Sequence, residues 1–301
     1  MLFWSAMLAL TGGSRSQPLP LLVTMLVALV LVSIGLVSSL FHLGKPQRAW
    51  RALSQWRTSW LSREGVAAVA TYLPALLLSA LLWLEYLDPT SFVFSARPSL
   101  LVAAVCAALA AGAMVTVTCT AMIYASLKPI PAWRHSLVLP GYLLFALLTG
   151  GMPMLLSTVP DASGLDGALP WLLIGIALAL LILKSVYWRS IDGTPLAQHR
   201  GDAIGLPQRI ATVFERPHTE ANYITREMAF VVARKHARKL RLLAVVLFAM
   251  LPILSLLPML VFVQGNATLC ISLGALSALA GAFVERWLFF AQARHMVTLY
   301  Y

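Results

Sequence analysis

Apolar residues in this chain come in long unbroken runs, over residues 18–41, 66–87, 99–125, 136–158, 170–188, 242–264 and 268–291. Each run meets or approaches the roughly 20 residues that a helix needs to cross a hydrocarbon core of about 30 Å. None alternates polar and apolar at every second position, as a membrane β-strand would. The pattern therefore predicts an all-α integral membrane protein. It is read as a single transmembrane domain over 1–301, a bundle of seven to eight transmembrane helices in which a partial helix over 2–11 is the eighth. Pro74, Pro140, Pro153, Pro252 and Pro258 fall inside runs, which lipid-embedded helices tolerate when neighbours satisfy the freed backbone groups.

The polar positions are concentrated in the connections, and unevenly. Lys and Arg number five in 42–65, two in 126–135 and ten in the basic connection 189–241, against one in 88–98 and none in 159–169 or 265–267. The basic connections all fall on one side, which the positive-inside rule makes cytoplasmic. Within the first of them, Trp50, Leu53, Trp56, Trp60 and Leu61 recur at near-helical spacing among Arg48, Arg51, Arg57 and Arg63. That spacing predicts an interfacial amphipathic helix over 48–61, anchored in the headgroup layer by its tryptophans. Residues 192–218 are rich in Gly, Pro and charge and read as a loop. Thr219 is a candidate N-cap for a helix continuing into the run at 242.

Composition changes one inference. Across 301 residues the mean hydropathy is +0.83 and only 11% are charged, too little polar material to cover a water-soluble fold. The net charge of +11 would suggest nucleic acid in a soluble protein; here orientation and anionic membrane lipid account for it, and no nucleic-acid partner is expected. Cys106, Cys119 and Cys270 all lie inside apolar runs without ligand spacing, so they read as small buried hydrophobes, with no iron–sulfur cluster or zinc site in this chain. The opening MLFWSAMLALT lacks a basic segment and is too short to span. It reads as a half helix, the remnant of a span whose start lies upstream, and not as a removable signal.

Ionisable groups within the runs are few. Lys184, four residues from the end of its run, is expected to snorkel to the boundary. Glu85 is expected to reach headgroups, and Glu285 and Arg286 to pair with neighbours across the bundle. His42 closes one span and Glu64 opens the next, so both face one membrane boundary. One reading makes them a helix C-terminal and a helix N-terminal charge. The other makes them an imidazole and a carboxylate placed to take protons from a quinol. The pattern alone leans towards the first. The remaining histidines lie in loops or near helix ends and offer no mid-membrane axial pair, so no haem is expected.

The segments LFHLGKPQRAWRAL and SWLSREG, followed by IYASLKPIPAWRHSLVLPGYLLFALLTGG and ERWLFFAQARHMVTLYY, resemble the membrane anchor subunit of dimethyl sulfoxide reductase, the DmsC family, over nearly the whole chain. The resemblance implies an eight-helix protein of the bacterial inner (cytoplasmic) membrane. Such an anchor binds and oxidises menaquinol and passes electrons to a four-cluster ferredoxin-like iron–sulfur subunit, itself joined to a molybdopterin catalytic subunit. The molybdenum and the clusters then belong to those partners. The family's quinol-site histidine falls on His42 and its glutamate on Glu64, and this reverses the weighting given by pattern alone. Lys45, Arg48 and Arg63 are further candidates for contact with the quinol. A secondary transporter and a purely structural membrane tether are the alternatives.

Overall fold

The computed structural model describes residues 1–11, 18–41, 44–88, 99–157, 168–193, 235–261 and 267–293, with a few positions between 201 and 214. Among them every regular element is a helix or helical turn. The helices are α1 (Leu2–Leu10), α2 (Pro18–Phe41), α3 (Trp50–Leu53), α4 (Trp60–Leu87), α5 (Leu100–Ala125), α6 (Val138–Met154), α7 (Ala168–Gly193), α8 (Ala237–Val245), α9 (Leu251–Val261) and α10 (Ala267–Ala291). A π-helical turn, Val246–Met250, joins α8 to α9 into one rod. Among the described residues, seven helical segments are long and apolar enough to cross a membrane.

Packing follows from which residues each helix turns inward. Leu78 and Leu82 of α4, Leu109 of α5, Leu148 and Met152 of α6, Leu173 and Leu180 of α7 and Phe248 of the π turn are fully buried in one core. Outward faces are aliphatic, as a helix in lipid requires: Leu31 and Ile34 of α2, Leu73 of α4 and Ile182 of α7 are all well exposed. The short α1 is tied into this core by Trp4, whose indole N–H donates to the Leu147 carbonyl at 2.8 Å.

The π turn ends two residues before Pro252, whose missing N–H and bulky ring disrupt the normal i to i−4 pairing with Phe248. Gly281 of α10 is what lets the last helix lie against this turn. A Cβ at that position would collide with the Phe248 backbone nitrogen and stand 2.8 Å from the Leu247 carbonyl carbon.

The connection before α4 is helical in two short pieces where its spacing predicts one helix. A 3₁₀ turn, Pro46–Arg48, leads into α3, and turns over 54–58 separate α3 from α4. The interruption has local causes. Ser59 caps α4 by accepting from the Ser62 N–H, the Ser62 hydroxyl donates to the Ala52 carbonyl, and Arg63 donates to the carbonyls of Trp56 (2.9 Å) and Arg57 (2.7 Å). These bonds reward a turn over a continuing helix. The helix expected to start at Thr219 lies outside the described residues.

Candidate functional site

The beginnings of α4, α6 and α8 and the ends of α5, α7 and α10 meet at one end of the bundle, the end of the basic connections. Tyr187 at the end of α7 donates to the Ala132 carbonyl at 2.9 Å, Trp133 donates to the Phe289 carbonyl at 2.9 Å, and Arg241 makes a two-pronged bond to Asp192 at 2.6 and 2.9 Å. A belt of polar and aromatic side chains runs across this end.

Glu64 sits just past the first turn of α4, half-buried. The Thr120 hydroxyl, on the last turns of α5, lies 2.6 Å from its Oε1 and 3.0 Å from the Thr116 carbonyl. One turn further along α5, the Tyr124 ring packs edge-on against Trp133, Phe289 and Phe290 and stacks with Tyr142 at a centroid distance of 6.2 Å. The Arg286 guanidinium lies over the Tyr142 ring, 4.1 Å from its centroid.

Beneath Glu64, deeper in the bundle, is a cavity of about 380 Å³ walled by α1, α2, α4, α5 and α6. Ala68 and Thr116 belong to its wall. They stand one helical turn below Glu64 and Thr120 respectively, a step of about 6 Å. Its remaining walls are largely aliphatic, including Leu29, Val32 and Val117.

Of the candidates named from sequence, Glu64 occupies this boundary with a hydroxyl partner. His42 follows the last residue of α2 and lies outside the described residues. Lys45 and Arg48 are exposed at the two ends of the 3₁₀ turn. Arg63 is spent on the two loop carbonyls and stacks over Trp60 at 4.3 Å, so its visible work is to fix the start of α4. Thr120 is absent from the sequence reading because its contact with Glu64 spans 56 positions; the only cue is a hydroxyl in an otherwise apolar run.

Two sequence expectations are corrected. Lys184 does not snorkel: it is 3% exposed and forms an ion pair with Glu285, which is 1% exposed. The opposite oxygen of Glu285 accepts from Arg286 at 2.5 and 2.6 Å, so the pairing across the bundle expected for Glu285 is with Lys184. Glu85 does not reach headgroups either: it is 8% exposed, on the face of α4 that carries Leu78 and Leu82. Both lie on inward stripes, and side-chain facing outweighs distance from the helix end.

At the rim of the same belt His135 receives the Leu137 N–H on Nδ1 at 3.1 Å, which puts the ring proton on Nε2, 3.0 Å from the Ser190 hydroxyl. Partial burial, and secondarily the positive charge of Lys184, hold this imidazole below the ordinary histidine pKa. Among the described residues no three His, Cys, Asp or Glu side chains converge as metal ligands.

The fold and this belt define a multi-pass helical membrane protein with a polar site at one boundary. The chain belongs to the DmsC family, the DMSO reductase anchor subunits, whose family model matches residues 1–292. It is 32% identical over 286 residues to a sulfite dehydrogenase subunit from Allochromatium vinosum, a match covering 92% of this chain and 84% of that protein. No solved structure matches it. The protein is thus an anchor subunit, and its family implies a catalytic oxidoreductase partner.

Proposed function

We propose that this chain is the quinol-oxidising anchor of a respiratory molybdopterin oxidoreductase in the bacterial inner membrane, passing electrons from menaquinol to an iron–sulfur partner subunit. The observation that supports it most is the apolar cavity whose wall lies one turn below the Glu64–Thr120 pair. A quinol head arriving from the acyl chains would meet a carboxylate and a hydroxyl there. Oxidation of one quinol releases two electrons and two protons. His42 hydrogen-bonds one quinol oxygen and takes its proton; Glu64, with Thr120 as its hydrogen-bonded neighbour, takes the other. Both electrons would pass to the iron–sulfur cluster nearest the membrane in the docked partner.

A second reading has one observation behind it. The Allochromatium relative carries the name of a dehydrogenase, and an anchor working with such a partner would run the same site towards quinone reduction. In that direction the same residues would deliver the two protons instead of taking them.

The test is turnover of the intact complex with two donors. Glu64→Gln and His42→Ala should each lower menaquinol-driven substrate reduction by about 100-fold or more, the size of a lost general base, while reduction by a soluble dye that feeds the partner subunits persists. Retention of quinol-driven turnover in both variants would sink the proposal. A tether with no redox role predicts that retention, and a transporter predicts flux by this chain alone.

A further inference from the structure

The connection between α2 and α4 carries cations and no anions. Lys45, Arg48, Arg51 and Arg57 are all exposed, and Glu64 is the first acidic residue of the whole sequence. None of the four cations has an ion-pair partner among the described residues. The indoles of Trp50 and Trp56 stand exposed beside them, at 66% and 52%. Like charges so close along the chain repel one another, and an opposing negative surface removes that cost.

This surface is held in shape before anything binds it. Ser62 ties down the Ala52 carbonyl, and Arg63 ties down those of Trp56 and Arg57. Leu53 packs over Gly65, where an added Cβ would lie 2.9 Å from the Leu53 Cδ2. The ordering cost of binding is correspondingly small. A surface serving lipid alone sorts apolar residues from cations on to two faces. Here turns over 54–58 interrupt the stripe, and each indole carries a guanidinium on its ring: Arg51 over Trp50 and Arg57 over Trp56, both 5.5 Å from the centroid. Trp and Arg are the side chains that dominate binding energy at protein interfaces.

We propose that residues 45–57 are a preformed docking surface for the electron-accepting partner subunit, with Lys45, Arg48, Arg51 and Arg57 meeting an acidic face of that subunit and Trp50 and Trp56 supplying the apolar contact. This rests on the electron transfer proposed above and deepens it by saying where the partner sits. Leu53, seated on Gly65, fixes the surface directly beside Glu64, so a subunit docked here stands next to the place where the quinol gives up its electrons.

The experiment holds the complete complex in lipid nanodiscs on beads through a tag on this chain, washes it with buffers of rising ionic strength, and reads the dye-driven substrate reduction that remains, an activity of the partner subunits. Salt screens the contact, so the wild type is expected to shed its partner as ionic strength rises. Arg51→Glu with Arg57→Glu should shed it at least about tenfold faster at physiological salt, with the lost activity recovered in the wash. If the reversed pair fails to reach the membrane, Arg51→Gln with Arg57→Gln decides by the same reading. Partner held by the variants as firmly as by the wild type, at every salt concentration, overturns the docking surface. It is equally overturned if the partner stays on while the variants lose a dependence of turnover on phosphatidylglycerol that the wild type shows, for the cations then serve lipid headgroups. Glu64→Gln is expected to keep the partner on the beads and lose quinol-driven turnover, so the docking surface and the quinol site fail separately.

Discussion

Lys184 illustrates how much one side chain's direction matters in a membrane bundle. Its ammonium, Glu285 and Arg286 form a three-member charge cluster in which the carboxylate shares its two oxygens between two cations, and the rings of Tyr187, Tyr142 and Phe289 stack on those cations at 4.5, 4.1 and 4.8 Å. Removing one member of a buried pair strands the other without water to repair it. Lys184→Met should therefore cost about 3–5 kcal/mol, seen as a fall in the thermal midpoint of the detergent-solubilised chain. Replacing Lys184, Glu285 and Arg286 together by Met, Gln and Met should recover a good part of that loss, since no charge of the cluster is then orphaned at the α7–α10 contact. A triple variant no more stable than Lys184→Met would show that the charge cluster is not what joins those helices.

At the scale of elements, close approach and capping set the geometry of this boundary, and both give checkable numbers. Gly281→Ala places a methyl group against the Leu247–Phe248 backbone, which has no rotamer with which to yield; the expected cost is about 1–3 kcal/mol of overpacking. Gly175→Ala is the matched control, because a Cβ there meets nothing within 4 Å, and its thermal midpoint should be unchanged or slightly raised. The start of α6 is secured differently, by the Leu137 N–H donated to His135 Nδ1. That bond requires the neutral ring, and the folded-state pKa lies below the ordinary value of about 6.5. The contribution is complete above about pH 6.5 and is lost as pH falls through the lower folded value. Acidification from pH 7.5 to 5 should consequently lower the thermal midpoint more for wild type than for His135→Gln, which gains no proton; equal losses would remove His135 as the cause.

For the whole molecule, the helical membrane class was legible because unbroken apolar runs leave few alternatives once backbone groups must pair internally. The run at 18–41 coincides with α2, while α4 begins six residues before its run at 66: Trp60 to Gly65 look like loop by hydropathy and are helix because Ser59 and Arg63 secure that end. The site was half legible. His42 and Glu64 could be named from a motif, but Thr120, the cavity beneath it and the inward turn of Lys184 depend on which faces of separate helices meet, and no local pattern carries that information. The uneven distribution of Lys and Arg, by contrast, is a property of the whole chain and makes its own prediction. Five cations lie in 42–65, two in 126–135 and ten in 189–241, so the end of the bundle bearing Glu64, His135 and Arg241 should face the cytoplasm. In a background lacking Cys106, Cys119 and Cys270, cysteine placed at exposed Gln47 or Gln55 should react with a membrane-impermeant maleimide in inverted vesicles and stay unlabelled in right-side-out ones. That outcome would put proton release from Glu64 on the cytoplasmic side, so turnover would carry no proton outward through this chain. Labelling from the opposite face would reverse the topology, and turnover would then contribute to the proton gradient.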